Sequence, residues 1–189
     1  MQLVNLMEGG QRVQMSKRAG EFVTLDDLVD DIGVDAARFF LVQRSHDTTL
    51  DLDLTLAREQ SQDNPVYYVQ YAHARIASIL RKLDDARLEA ALSAPYSEIL
   101  HPSARALLKR LLEFPDEVAS AAARRAPHRI TAYVHDVAQD FSAFYRDVRV
   151  VGAAEEGGDE NFRIALSLLA QRVIARSLDL LGVSAPEHM

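Results

Sequence analysis

The side chains with the clearest chemical potential lie in one stretch near the middle of the chain, residues 64–83. Four of them are two aromatics and two cations: Tyr68, Tyr71, Arg75 and Lys82. Their spacings of three, four and seven residues would bring them to one side of an α-helix. Such a face can stack on unpaired bases and meet phosphates, as in the binding of single-stranded RNA loops. The alternative is that the tyrosines pack against a neighbouring helix and the cations are solvated.

This stretch has the signals of a helix. Asn64 can cap the first turn, and Pro65 suits the first helical position. A different side of the same helix forms an apolar stripe within roughly 140° of arc, which predicts a face directed to the core. The residues of this stripe are Val66, Val69, Ala72, His73, Ile76, Ile79, Leu80 and Leu83.

Composition limits the class of protein. The chain has 189 residues, no cysteine and a formal net charge of −7. The acidic balance argues against a non-specific nucleic-acid binder but leaves a local RNA site open. We found no targeting segment and no apolar run near the roughly 20 residues that cross a bilayer, so we expect a soluble, cytoplasmic protein without membrane contact. The histidines lack metal-ligand spacing, and we expect no structural metal.

The first part of the chain is predicted to be a small region that contains both strands and helices. Residues 3–7 and 12–15 predict two strands joined by a Gly-Gly turn. Residues 15–20 then form a short basic loop that could clamp a polyphosphate or could be a solvated turn. The patterns that follow predict helices over residues 25–32, 36–43 and 55–62 and a strand over residues 50–54, which gives the order β-α-α-β-α.

The rest of the chain is predicted to be helical, apart from two irregular segments. Residues 84–97 read as a polar linker, and residues 153–160 as an acidic loop that would repel RNA. The residues after Gly182 would ordinarily be frayed. Helices are predicted over residues 103–113, 115–125, 129–150 and 161–181.

Three segments resemble a known family. Residues 14–18, Gln-Met-Ser-Lys-Arg, resemble the KMSKS loop of class I aminoacyl-tRNA synthetases, and residues 33–38 match the Asp-Ala-x-Arg element of their stem-contact region. Residues 63–75 are very similar to the opening helix of the anticodon-binding domain in arginyl-tRNA synthetases. The resemblance covers residues 1–189. It implies a mainly α fold, with a helical anticodon-binding bundle (64–189) preceded by the end of a catalytic domain and the β-α-α-β-α stem-contact region (1–63).

The resemblance also implies a catalytic role for the basic loop. Met15, Ser16 and Lys17 would bind ATP, which acts with Mg²⁺, and Lys17 would stabilise the departing pyrophosphate. Gln14 and Arg18 stand where the family signature has its first lysine and final serine. This departure leaves Lys17 as the one residue to which the catalytic role is carried over.

The same resemblance assigns an RNA surface. Tyr68, Tyr71 and Arg75 match the anticodon-loop surface of the family, and Lys82 shares their predicted helix face. Tyr145 lies near a position where the family has a tRNA-contacting aromatic, although simple packing is an equal alternative. Met189 matches a methionine that the family places beside the anticodon.

The function implied is that of the C-terminal part of an arginine–tRNA ligase that recognises tRNA(Arg). We expect a monomeric fragment without ligase activity of its own, because no HIGH signature is found here and the family binds ATP and arginine in an upstream domain. One alternative is the anticodon-binding region of a cysteinyl- or methionyl-tRNA synthetase. Another is a non-enzymatic helical scaffold whose Tyr/Arg face binds a protein.

Overall fold

The computed structural model of the chain describes residues 2–13, 23–95, 100–156 and 158–189. It is 66% helix and 6% strand, which confirms the predicted mainly α fold. The predicted ATP-binding residues Met15, Ser16 and Lys17 lie outside the described residues.

A three-stranded sheet forms in the first part of the chain. Strand β1 (Val4–Glu8) is the middle strand, with β2 (Gln11–Arg12) on one side and β3 (Leu50–Asp53) on the other. The β1–β2 pair is antiparallel across the predicted Gly-Gly turn, whose two glycines have positive φ, as such turns require. The β1–β3 pair is parallel, and the sequence patterns did not predict this pairing.

Two helices follow in close succession. Helix α1 (Leu25–Ile32) begins with the predicted capping box, in which the Asp27 N–H donates to Thr24 Oγ1 over 3.1 Å and the Thr24 N–H donates to Asp27 Oδ2 over 2.8 Å. Helix α2 (Val34–Val42) starts immediately after Gly33. Gly33 has a φ of 80°, so glycine permits one residue to end α1 and begin α2.

Asn64 fixes the junction between the first part of the chain and the helical bundle. Its side-chain oxygen accepts from the Val66 N–H over 3.2 Å, which caps helix α4 (Pro65–Leu80) as predicted. Its amide also donates to the carbonyl oxygens of Ala57 and Glu59, over 3.1 and 2.8 Å. Helix α3 (Leu54–Arg58) ends four residues before the predicted boundary. The carbonyl groups at its end accept hydrogen bonds from the Asn64 side chain instead of from a further helical turn.

A helix forms in the bundle where the sequence did not predict one. The predicted linker forms helix α5 (Asp85–Ser93), which packs on the last long helix and buries Ala91 completely. The remaining predicted helices are present with small shifts at their ends. They are α6 (Pro102–Leu112), α7 (Phe114–Arg124), α8 (His128–Asp147) and α9 (Glu160–Leu181), with a 3₁₀ turn at Ala153–Glu156.

The core lies where α4, α8 and α9 pack against one another. The predicted stripe of α4 is buried from Val66 to Leu80, and Leu83, in the turn after the helix, is partly buried. Helix α8 ends before the predicted residue 150 because Val148 turns to extended backbone and is itself buried. Helix α2 also contacts α4 and α9, so it lies beside the central helices of the bundle.

Candidate RNA-binding surface

A groove of about 330 Å³ lies between α4, α8 and the last residue of the chain. Five of the six predicted tRNA-binding residues line it, so side chains from three distant parts of the sequence meet at one place. The groove is lined by Tyr71, Ala74, Arg75, Ser78, Ile79, Arg81, Lys82, Tyr145 and Met189.

One wall of the groove is the middle of an aromatic column, which we define as Tyr67, Tyr71, Arg75, Tyr145 and Phe141; Tyr71, Arg75 and Tyr145 are its members that line the groove. The Arg75 guanidinium lies over both the Tyr71 and the Tyr145 ring, at 4.9 and 5.3 Å from their centroids. The column continues as stacked rings on both sides, from Tyr71 to Tyr67 at 6.2 Å and from Tyr145 to Phe141 at 6.0 Å. The Arg75 Nη2 also donates to the Tyr71 hydroxyl over 3.0 Å. These contacts orient two tyrosine rings and a guanidinium before any ligand arrives.

A second groove of about 530 Å³ adjoins the first, sharing Ile79, Lys82 and Tyr145 with it. It adds Arg146 and Arg149, two cations that the sequence analysis did not select. The Arg146 Nε donates to Asp147 Oδ1 over 2.8 Å, and this hydrogen bond holds the pKa of Asp147 below its usual range. Arg146 and Arg149 both lie at the end of the long helix predicted over residues 129–150, close in sequence to Tyr145. This position could have identified them as candidate site residues.

Tyr68 is the predicted tRNA-binding residue that does not line the groove. Its hydroxyl donates to Ser142 Oγ over 3.2 Å, and its ring lies 5.3 Å from that of His135, so the side chain packs toward α8. Tyr68 lies three residues before Tyr71 on the same flank of α4, but its side chain packs against α8 rather than facing the groove. A contact between Tyr68 and RNA stays a prediction that this geometry does not support.

Met189 reaches the groove because the preceding residues are held against the bundle. The His73 Nδ1 lies 2.8 Å from the Pro186 carbonyl oxygen, and the Arg81 Nη1 donates to the Glu187 carbonyl oxygen over 2.9 Å. The Met189 side chain is 53% exposed, so it forms an open wall rather than part of the core. The end that the composition predicts to be frayed is thus held by a side chain of α4 and by Arg81 directly after it.

Two further expectations concern a structural metal ion and contact with a membrane. Within the part of the chain that the structure describes, no group of three or more histidine, aspartate or glutamate residues is arranged to hold a metal ion. In the same ranges, no helix combines the length and apolarity needed to cross a membrane.

The comparison with protein families decides the relationship of the chain. The family model described as "DALR anticodon binding domain" matches residues 69–189, which include every residue that lines the groove. The chain belongs to the DALR anticodon-binding-domain family. The match begins inside α4, so the groove of this DALR domain is built wholly from matched residues.

Individual relatives agree with this assignment. The chain is 51% identical to an arginine–tRNA ligase from Desulforudis audaxviator and 44% identical to one from Staphylococcus epidermidis, in both cases over its full length. It also superposes on the arginyl-tRNA synthetase of Thermus thermophilus with a TM-score of 0.74 and 27% identity, covering 97% of this chain and 34% of that one. The chain spans 34% of the length of each of these two curated relatives and matches their C-terminal part.

Proposed function

We propose that this chain is the tRNA-binding part of an arginine–tRNA ligase and that its groove holds the anticodon loop of tRNA(Arg). The observation that carries the proposal is the aromatic column at the groove, bordered by Lys82 and Met189. The names of the curated relatives favour arginine over cysteine or methionine among the alternatives raised by the sequence.

The geometry suits a single-stranded loop with splayed bases. Tyr71 is partly exposed and Tyr145 is 40% exposed, and both line the groove, so a base that enters the groove can reach both rings. The Arg75 guanidinium, which lies over both rings, can donate hydrogen bonds to a base in the groove. Lys82 and Arg146, at the adjoining groove, are placed to meet phosphates that enter from the side.

The chemistry of the parent enzyme lies elsewhere. The arginine–tRNA ligases to which the chain is similar are about three times its length, so ATP-dependent attachment of arginine, with Mg²⁺, belongs to the whole protein. We assign Lys17 to stabilisation of the pyrophosphate and Met15 and Ser16 to ATP binding within that whole protein. The chain alone, as a cytoplasmic monomer, would bind tRNA without ligating it.

The test is a binding titration with labelled RNA. Fluorescence anisotropy would compare tRNA(Arg), and a stem-loop with an arginine anticodon, with matched RNAs that carry cysteine or methionine anticodons. We expect tighter binding of the arginine RNAs. Lys17→Ala is the matched control, because its partner is ATP and its RNA affinity should equal that of the unchanged chain.

Two outcomes would contradict the proposal. Equal affinity for all anticodons would remove the arginine assignment. Failure to bind any RNA, together with a protein partner that protects Tyr71 from chemical modification, would favour the scaffold alternative.

A further inference from the structure

Several residues of the family-like motifs have no role in the groove itself. Gln70 and His73 belong to the helix motif of residues 63–75, and Asp35 belongs to the Asp-Ala-x-Arg element. All three make hydrogen bonds with one short segment, residues 183–189, which we call the tail. The tail leads from the end of α9 to Met189 in the groove.

Asp35 and Gln70 both form hydrogen bonds with Ser184, at the start of the tail. The Ser184 N–H donates to Asp35 Oδ1 over 3.1 Å, and the Ser184 hydroxyl donates to Asp35 Oδ2. The Gln70 Nε2 donates to the same Oδ2 over 2.8 Å and lies 3.0 Å from the Ser184 carbonyl oxygen. Hydrogen bonds to an ionised carboxylate are stronger than neutral ones, so this cluster can fix an irregular segment. Gln70 is buried, which makes the loss of its partners costly.

The turn before the tail is fixed by the other charged residue of the Asp-Ala-x-Arg element. The Arg38 Nε donates to the Leu181 carbonyl oxygen over 3.1 Å, at the end of α9. Gly182 has a φ of 67°, and a Cβ at this position would collide with the Arg38 guanidinium. The Asp-Ala-x-Arg motif in α2 therefore fixes both the end of α9 and the direction in which the tail leaves that helix.

The next contacts carry the tail along α4. His73 holds Pro186 and Arg81 holds Glu187 through their carbonyl oxygens. The order of the partners, Gln70, then His73, then Arg81, follows the direction of α4. The tail thus runs beside α4 toward the end of the helix at which the groove opens.

We infer that Asp35, Gln70 and His73 are positioning residues, which hold the tail along α4 so that Met189 forms a wall of the RNA groove. The inference rests on the proposed function for the identity of the ligand, although the anchoring of the tail can be measured without RNA. A short segment without helix or strand would otherwise be mobile, and its ordering would oppose binding. Because Asp35 lies in α2, the stem-contact region contributes to the groove through the tail.

The first measurement follows Met189 directly. Proteins with ¹³C-labelled methionine methyl groups would be compared by NMR, with the Met189 signal assigned from Met189→Ala. We expect Asp35→Ala and Gln70→Ala to shift this signal toward that of free methionine and to sharpen it. Asp30→Ala is the matched control, because Asp30 is an exposed acidic residue of α1 and should leave the signal unchanged. An unchanged Met189 signal in Asp35→Ala would overturn the inference.

A second variant guards against loss of folding. Ser184→Pro removes both the N–H and the hydroxyl that donate to Asp35, and it does so at an exposed position outside every helix. We expect the same shift of the Met189 signal with an unchanged circular dichroism spectrum. A folded Ser184→Pro protein with the signal of the unchanged chain would also overturn the inference.

The last measurement is a double-mutant cycle on RNA affinity. Asp35→Ala and removal of residues 184–189 should each weaken binding of the arginine anticodon stem-loop by about threefold to tenfold. The combined variant should bind no worse than the tail deletion alone, because Asp35 acts through the tail. Losses that multiply would show that Asp35 acts independently of the tail and would overturn the inference. An unchanged chain that binds no RNA would overturn the proposed function alone, since the methionine signal decides the anchoring without RNA.

Discussion

Tyr68 and Tyr71 show how strongly the surroundings decide the use of a residue. They lie three residues apart on α4, yet Tyr71 faces the groove and Tyr68 packs toward α8 with a hydrogen bond to Ser142. Helical spacing alone placed both on one flank, because a single helix carries no information on where its neighbour packs. Tyr71, which does not pack toward α8 as Tyr68 does, is the tyrosine of this pair whose ring contacts the Arg75 guanidinium.

Tyr71 should contribute directly to RNA binding. We expect Tyr71→Ala to lose about 1–3 kcal/mol of affinity for the anticodon stem-loop, because one stacked base has this value. The measurement is the dissociation constant by anisotropy, with circular dichroism as the check on folding. An unchanged dissociation constant in a folded variant would contradict the role.

Tyr68→Phe is the matched control for Tyr71→Ala. It keeps the ring against His135 and removes only the hydroxyl that donates to Ser142. We expect an unchanged RNA affinity and a loss of about 0.5–1.5 kcal/mol in the free energy of unfolding, as for a typical hydrogen bond. A loss of RNA affinity in this variant would bring Tyr68 back into the site.

At the scale of elements, α4 performs three tasks. One face is buried in the core, a second presents Tyr71 and Arg75 to the groove, and the edge of the buried face, with Gln70 and His73, holds the tail. The sequence predicted the first face and most of the second, because both follow from helical spacing and residue type. The third task was not predictable, since Gln70 and His73 have no apparent partners until the chain is folded.

Helix α5 shows where sequence patterns were too weak. The segment was predicted to be a linker because its composition is polar, but Asp84 accepts from the Arg87 N–H over 2.8 Å and caps a helix. Few of its side chains face the core, with Ala91 buried and Leu88 partly buried against the bundle. Packing on α9 therefore stabilises a helix that its own amphipathic pattern did not reveal.

Helices α1 and α3 and strand β1 are joined by an ionic contact that should respond to pH. Arg58 of α3 donates to both Asp31 carboxylate oxygens, over 2.7 and 2.6 Å, and also pairs with Glu8 of β1. These hydrogen bonds hold the pKa of Asp31 below its usual range. A lowered pKa in the folded state stabilises the fold above the ordinary aspartate pKa of about 4, and this stability is lost as the pH falls through the lower value.

We therefore expect Asp31→Asn to reduce the free energy of unfolding by less than about 1 kcal/mol at pH 7, because both side chains are more than a third exposed. Urea unfolding between pH 7 and pH 3 would measure the difference from the unchanged chain, with Asp30→Asn as the control. The difference should shrink once the pH drops below about 4. A difference that stays constant would show that the contact does not titrate in this way.

For the whole molecule, the charge is acidic while the grooves are cationic. The net charge is −7, yet Arg75, Arg81, Lys82, Arg146 and Arg149 all line the two adjoining grooves. Binding should therefore be local, and non-specific attraction to polyanions should be weak. The composition predicted this weak general attraction, but only the fold showed where the cations gather.

Salt dependence should report how many phosphates these cations meet. We expect Lys82→Ala to make the slope of log K against log salt shallower by about 0.7, the value for one phosphate of a single strand. Lys109→Ala is the control, because Lys109 is an exposed lysine of α6 that lines neither groove. Identical slopes for Lys82→Ala and the unchanged chain would show that Lys82 meets no phosphate.

The aromatic column also gives the molecule an optical property. The chain has six tyrosines and no tryptophan, so tyrosine dominates its ultraviolet emission. Three of those six rings, Tyr67, Tyr71 and Tyr145, belong to the column. A nucleobase that stacks there would quench a large share of the emission, and its arrival could be followed in real time without a dye.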